Sequence, residues 1–276
     1  WLAQMTRPDI FVALQKASQW VNKPSPKLWR WLLRIAKYLA GTLNVGLVYQ
    51  RSPKAPHLEA FFDAAFAEGP DCRSTAGWAY FVKGALIGYD SHTIKRVVTS
   101  STEAECSALT TIGKENSWQR QNYLEINGIA SAPPTKVHGD NTACISLISS
   151  GVTKRSRHFA IEWFKVKSLL DSGEMTVQWI STDQNVADFF TKKLGREKFM
   201  FFRDILMGDE KLQDYFLPLI AAQASQLHDK IRENMCVFSC HIQAKSRPKN
   251  RSMKRARGLR GEKIPQMCCP MTTDKE

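Results

Sequence analysis

The order in which the hydrophobic period changes along the chain limits the fold more than any other feature. Between His57 and Gly208, strand-like runs come first, and helix and strand then alternate. "HLEAFFDAAFA" (57–67) is strand-like, and "TAGWAYFVKGALIGYDSHTI" (75–94) predicts a strand pair around Lys83-Gly84. "STEAECSALTTIGKENSWQRQNYLEING" (101–128) predicts a long helix with Ser101 or Thr102 as cap and Gly128 as stop. "TKVHGDNTACISLISSG" gives a strand, a junction at Asp140-Asn141 and a helix. "RHFAIEWFKVKSLLDSG" predicts a helix, "EMTVQWIST" a strand, and "NVADFFTKKLGREKFMFFRDILMG" a helix broken at Gly195. Strands first, then alternation, predicts an α/β fold: a mixed sheet with helices packed on it.

Two further blocks flank this one. In residues 1–56, "TRPDIFVALQKASQWVN" and "SPKLWRWLLRIAKYLAGT" predict helices, the second opened by Ser-Pro and stopped at Gly41. Lys27, Arg30, Arg34 and Lys37 recur three or four residues apart, either a solvated face or one that tracks phosphates. "VGLVYQ" predicts a short strand and "RSPKAP" a linker. Residues 209–276 show no long periodic segment, and 245–263 carry nine basic residues against one acid, the composition of a disordered, solvated tail. Trp1 in place of Met suggests a piece of a longer product.

Lysine and arginine total 39 against 26 acids, a net charge of +13, which predicts attraction to a polyanion, nucleic acid being the commonest. A hydrophobic fraction of 43% is enough to build a core. The seven cysteines are odd in number and scattered, and no secretory signal or 18-residue apolar run is present, which predicts a reduced, intracellular protein with no membrane contact. Cys236, Cys240, His241, Cys268 and Cys269 fit no standard zinc spacing.

Four acids stand where elements begin or end. Asp63 lies in the first strand, Glu105 heads the apolar stripe Ala108, Leu109 and Ile112 of the long helix, Asp140 ends a strand, and Asp188 opens the last helix. A carboxylate facing a core is costly unless paired. Strand ends and helix starts beside one sheet can bring such acids together, and their repulsion is relieved by a cation. Oxygen-only ligands favour Mg²⁺ or Mn²⁺, and two such ions can drive phosphodiester hydrolysis. Taken singly, each acid is equally a cap or a surface charge; Asp188 sits where a helix dipole favours an acid.

The runs "TRPDI", "YLAGTLNVGLVY", "DAAFAEGPDCRSTAGWAYF", "SSTEAECSAL", "HGDNTACI", "SRHFAIEWF" and "VADFFTKKL" resemble the end of a copia-type retrotransposon polyprotein, from Trp1 to Gly208. "SSTEAEC" and "ADFFTKKL", in that order and spacing, are its most specific parts. The resemblance implies a ribonuclease H-like domain over 57–208, with a mixed five-stranded sheet, preceded over 1–56 by the last helices of a reverse transcriptase. It implies an endoribonuclease that cuts the RNA strand of RNA–DNA hybrids with two Mg²⁺ or Mn²⁺ ions held by Asp63, Glu105, Asp140 and Asp188. The polymerase acids would lie upstream, and the setting would be a cytoplasmic virus-like particle or the nucleus. Departures from the family pattern surround the acids: Ala65 and Phe66 replace an Asp and a Trp, Ile94 a Gln, Ala160 an Asp, and Cys106 a Tyr. They motivate a second reading, a catalytically inactive module of the same fold that grips nucleic acid. Of the remaining residues, His158 matches a family histidine, and Arg73, Ser74, Ser100 and Asn141 are candidate contacts to the hybrid, each with a competing role in caps or loops.

Overall fold

The computed structural model describes residues 1–49, 55–68, 72–150 and 160–209. The candidate His158 and the whole segment 210–276 lie outside the described residues. In chain order the elements are α1 (Leu2–Met5), a 3₁₀ turn (Pro8–Ile10), α2 (Phe11–Ser18), α3 (Pro26–Ala40), β1 (Leu58–Ala65), β2 (Thr75–Val82) and β3 (Ala85–Thr93). They continue with α4 (Ser101–Asn127), β4 (Thr135–Gly139), α5 (Thr142–Ser150), α6 (Ala160–Asp171), β5 (Met175–Trp179), α7 (Asp188–Thr191) and α8 (Arg196–Met207).

The five strands form one sheet in the order β3-β2-β1-β4-β5. β1, β2 and β3 are antiparallel neighbours, while β4 lies parallel to both β1 and β5. This is the mixed sheet with flanking helices that the residue pattern predicts, with the five strands that the resemblance implies. The β2–β3 turn is made by Lys83 and Gly84, with φ of 51° and 83°. Positive φ at both positions matches the strand twist and fixes the hairpin register.

β1 is buried along its whole length because helices cover both faces of the sheet. Leu58, Ala60, Phe62 and Ala64 join a core with Leu109 and Ile112 of α4 and Val166 and Leu169 of α6. Phe61 belongs to the opposite core, with Phe81, Ile180, Phe190 of α7 and Phe202, Ile205 and Leu206 of α8. Each of these large side chains contributes about 1.5–3 kcal/mol by leaving water.

The first helices pack on the second face. Ala3, Ile10, Phe11 and Ile35 form a smaller core, and Phe11 makes edge contacts with Tyr89 of β3 and Phe190. The Tyr89 hydroxyl donates to the Ala3 carbonyl at 2.8 Å, and the Gln15 amide to the Ser91 carbonyl at 2.6 Å.

Two local expectations are corrected. Val45–Tyr49 are not a strand: Val48 N–H donates to the carbonyl of Met207 at the end of α8, 2.8 Å away, and joins no ladder. The cap of α4 is Ser100, one residue earlier than Ser101. Ser100 keeps an extended backbone and its Oγ accepts the Glu103 N–H at 3.1 Å. Glu103 in turn accepts from Thr99 N–H at 2.8 Å, so the helix start is fastened from both sides. Gly128 stops α4 in the left-handed conformation, φ 61°, as predicted.

Candidate metal centre

The site forms where parallel strands part. The β1–β4 ladder pairs Glu59 with Lys136, Ala60 with Val137 and Phe61 with His138, and ends there. Beyond it the Phe62 ring lies against Gly139, in the space a β-carbon at that position would need. Carrying the register onward sets Asp63 beside Asp140. Crevices at the carboxyl ends of parallel strands are the usual ligand sites of such sheets. The Ala64 N–H of β1 hydrogen-bonds the Glu105 carboxylate of α4.

α7 brings the third acid. The buried Asn185 donates from Nδ2 to the Phe62 carbonyl at 3.0 Å and accepts the Ala187 N–H at 3.2 Å, fixing the start of α7 over β1. Gly77 of β2 pairs with Asp63 in the sheet. A β-carbon there would lie 2.7 Å from Thr191 Cγ2 and 2.8 Å from Phe190 Cβ, so glycine lets α7 approach the sheet. The Thr191 hydroxyl donates to Asp63 Oδ2, and the Thr182 hydroxyl to Asp140 Oδ2 at 2.8 Å. As a result, carboxylate oxygens of Asp63, Asp140 and Asp188 all lie within 4.8 Å of one another.

Glu105 stands outside that triad but close to it. Burial pushes its carboxyl up to about 9, and the charges of Asp63 and Asp140 push the same way. Its Oε2 is buried with no hydrogen-bond partner among the described residues. Burial also raises Asp63 to about 6, against the pull of Lys192.

Two lysines face the acids. Lys192 Nζ lies 2.7 Å from Asp188 Oδ1, 3.2 Å from Asp63 Oδ1 and 4.0 Å from Asp140 Oδ2. Burial lowers its pKa, but Asp63 and Asp188 outweigh that and raise it. Lys198 Nζ reaches Asp188 Oδ2 at 3.1 Å and Asp183 Oδ1 at 3.5 Å. The donor set is all carboxylate oxygen, with one orphaned oxygen beside it, and this fits a hard divalent cation.

No family model matches the chain. It is 32% identical over 199 residues to a retrovirus-related Pol polyprotein from transposon RE2 of Arabidopsis thaliana, covering 71% of this chain and 14% of the relative. It is 30% identical over 203 residues to the Pol polyprotein from transposon TNT 1-94 of Nicotiana tabacum, covering 73% of this chain and 15% of the relative. The chain is a homologue of copia-type retrotransposon Pol polyproteins. It spans about 14% of the length of the relative from transposon RE2. Among solved structures, LC11-RNase H1 in complex with RNA/DNA hybrid covers 49% of this chain and 93% of its own, at 13% identity and a TM-score of 0.39.

In this Pol homologue the other candidate residues fall in different surroundings. Arg73 is exposed and its guanidinium donates to the Lys95 carbonyl. Ser74 is buried, its hydroxyl accepting the Ala67 N–H at 3.0 Å, so it shapes the loop instead of facing solvent. Ser100 is exposed while capping α4, and Asn141 Oδ1 accepts the Cys144 N–H at 2.9 Å at the start of α5. The sequence reading missed Lys192, Lys198, Thr191 and Asn185. Only Lys192 carries a sequence signal, its i,i+4 spacing from Asp188. A buried hydrogen bond was also missed: His138 Nε2 lies 2.8 Å from Glu59 Oε1, tying β4 to β1 below the site.

Proposed function

We propose that this chain is the ribonuclease H part of a Pol polyprotein, a metal-dependent hydrolase of the RNA strand of RNA–DNA hybrids. Residues 57–208 are then the nuclease module and 1–56 the last helices of a reverse transcriptase, acting inside the cell with the polymerase part encoded upstream. The observation that carries this reading is the convergence of Asp63, Asp140 and Asp188 within 4.8 Å at a strand parting, with the orphaned Glu105 oxygen alongside.

Asp63, Asp140 and Asp188 would hold divalent ions, Mg²⁺ or Mn²⁺, with Glu105 as the fourth ligand. Two such ions, when bound, supply activation of water and charge neutralisation at the leaving oxygen. The protein's own share is positional. Thr191 and Thr182 hold Asp63 and Asp140 by hydrogen bonds, and Asn185 keeps α7 on β1. Arg73, Ser100 and Asn141, with His158, are the proposed contacts to the hybrid. Contact of these side chains to backbone and 2′-hydroxyls would hold the hybrid without reading its bases. The net charge of +13 favours association with any polyanion.

A second reading, a module that grips nucleic acid without cutting, is favoured by one observation: the ammonium groups of Lys192 and Lys198 lie on carboxylate oxygens that an ion would need. Incubation with a labelled RNA–DNA hybrid in Mg²⁺ or Mn²⁺ decides between them. RNA cuts that vanish with excess chelator support the nuclease; tight binding with no cuts in either metal supports the binding module.

A further inference from the structure

Lys192 touches every member of the acidic triad. Its ammonium is 2.7 Å from Asp188, 3.2 Å from Asp63 and 4.0 Å from Asp140. Lys198 touches only Asp188 of the three and otherwise pairs with Asp183 and the Thr182 carbonyl. The Lys192 side chain is 31% exposed, whereas those of Asp63 and Asp188 are 0% and 1% exposed. It therefore enters the cluster from solvent, on a flexible four-carbon stem that can withdraw the same way. Three carboxylates this close repel one another in a medium of low dielectric, and a cation among them is needed to hold the arrangement.

We propose that Lys192 is the resident cation of the metal-free site and that a divalent ion binds by displacing it. This rests on the metal-binding reading above and deepens it: Lys192 sets the ion's apparent affinity. The acids stay assembled between turnovers, and the ion meets a formed site instead of three mutually repelling carboxylates. An ammonium and a divalent ion cannot share the same oxygens, so their occupancies are mutually exclusive. Expelled from the cluster, the ammonium stays tethered at the rim of the site, on the chain that also carries Asp188.

Calorimetric titration of Mn²⁺ into the wild-type chain, Lys192→Met and Lys198→Met tests this. Lys192→Met is expected to bind Mn²⁺ about tenfold more tightly, the effect of removing one partly exposed competing charge. Lys198→Met is expected to gain less. Equal or weaker binding by Lys192→Met overturns the proposal. Should that variant fail to fold, acetylation footprinting of the wild-type chain by mass spectrometry gives an independent answer. Labelling of Lys192 should rise several-fold at saturating Mn²⁺ while that of the remote Lys167 stays constant; constant Lys192 labelling also overturns it. The two readings separate cleanly. A chain that shows these Mn²⁺ effects but cuts no hybrid refutes the nuclease and leaves Lys192 its role. A chain that cuts hybrid with identical Mn²⁺ affinities refutes the role and leaves the nuclease. No Mn²⁺ binding by any of the three proteins overturns both.

Discussion

Asp140 stands one residue past the end of β4, half-way between sheet and helix, and its Oδ2 is held by Thr182. Asp140→Asn keeps the shape and one acceptor oxygen but lacks the charge a hard cation requires. Hybrid cleavage is expected to fall at least about a hundredfold, with hybrid binding by gel shift nearly unchanged. Glu105 permits a pH prediction. Its carboxyl titrates near 9 in the folded, metal-free chain against an ordinary 4.5. The folded state therefore binds the extra proton between those values, and stability falls as pH rises through that window. In excess chelator, the melting temperature should drop between about pH 5.5 and 8.5. Glu105→Gln resembles the protonated acid and should flatten the profile, with a gain on the order of 2 kcal/mol at the alkaline end. An unchanged slope would show that Glu105 is ionised in the folded chain.

At the scale of elements, the site depends on how closely α7 approaches the sheet. Gly77 faces Asp63 across the β1–β2 ladder, and its missing side chain is the space that Thr191 and Phe190 occupy. Gly77→Ala is expected to push α7 outward and cost about 1–3 kcal/mol of stability, the usual penalty for overfilling a packed core. Because Asp188 and Thr191 move with α7, cleavage should fall further than stability alone accounts for. Thermal melts and rates measured well below the melting temperature separate the two losses. The strands and helices around this point were legible in the sequence because their periods are clean. β1 shows the limit: its "LEAFFDAA" run is buried on both faces, so alternation could not tell which core each residue joins. α7 has four residues, too short for periodicity to define. "VGLVY" has strand propensity, yet tertiary contact with the end of α8 overrides it.

Over the whole molecule, positive charge is unevenly distributed. Residues 245–263 alone carry a net +8, and they lie outside the described residues. Phosphate contacts by Lys and Arg release counterions without reading base identity. Deleting 210–276 is expected to weaken binding to hybrid and to plain duplex alike and to flatten the dependence of affinity on salt. Cleavage at saturating protein should survive, because the acids and their sheet lie before residue 210. A deleted chain that fails to fold would assign the segment a place in the core instead. Among the described residues, no helix is long and apolar enough to cross a membrane.

The sequence by itself determined the order of strands and helices from β1 to β5, the mixed character of the sheet, the hairpin at Lys83-Gly84 and the stop at Gly128. Each of these depends on local chemistry: period, turn residues and the conformational freedom of glycine. It also marked four acids as candidates: Asp63 in the first strand, Glu105 near the head of the long helix, Asp140 at a strand end and Asp188 at a helix start. What only the tertiary structure decided is how near they come to one another and what lies between them. That proximity depends on a ladder that ends at Phe61 and His138 and on a β-carbon missing at Gly77. The entry of Lys192 into the cluster depends on the same contacts. Such terms join residues far apart in the chain, as Lys192 and Asp63 are, and a local pattern holds no record of the distance between them.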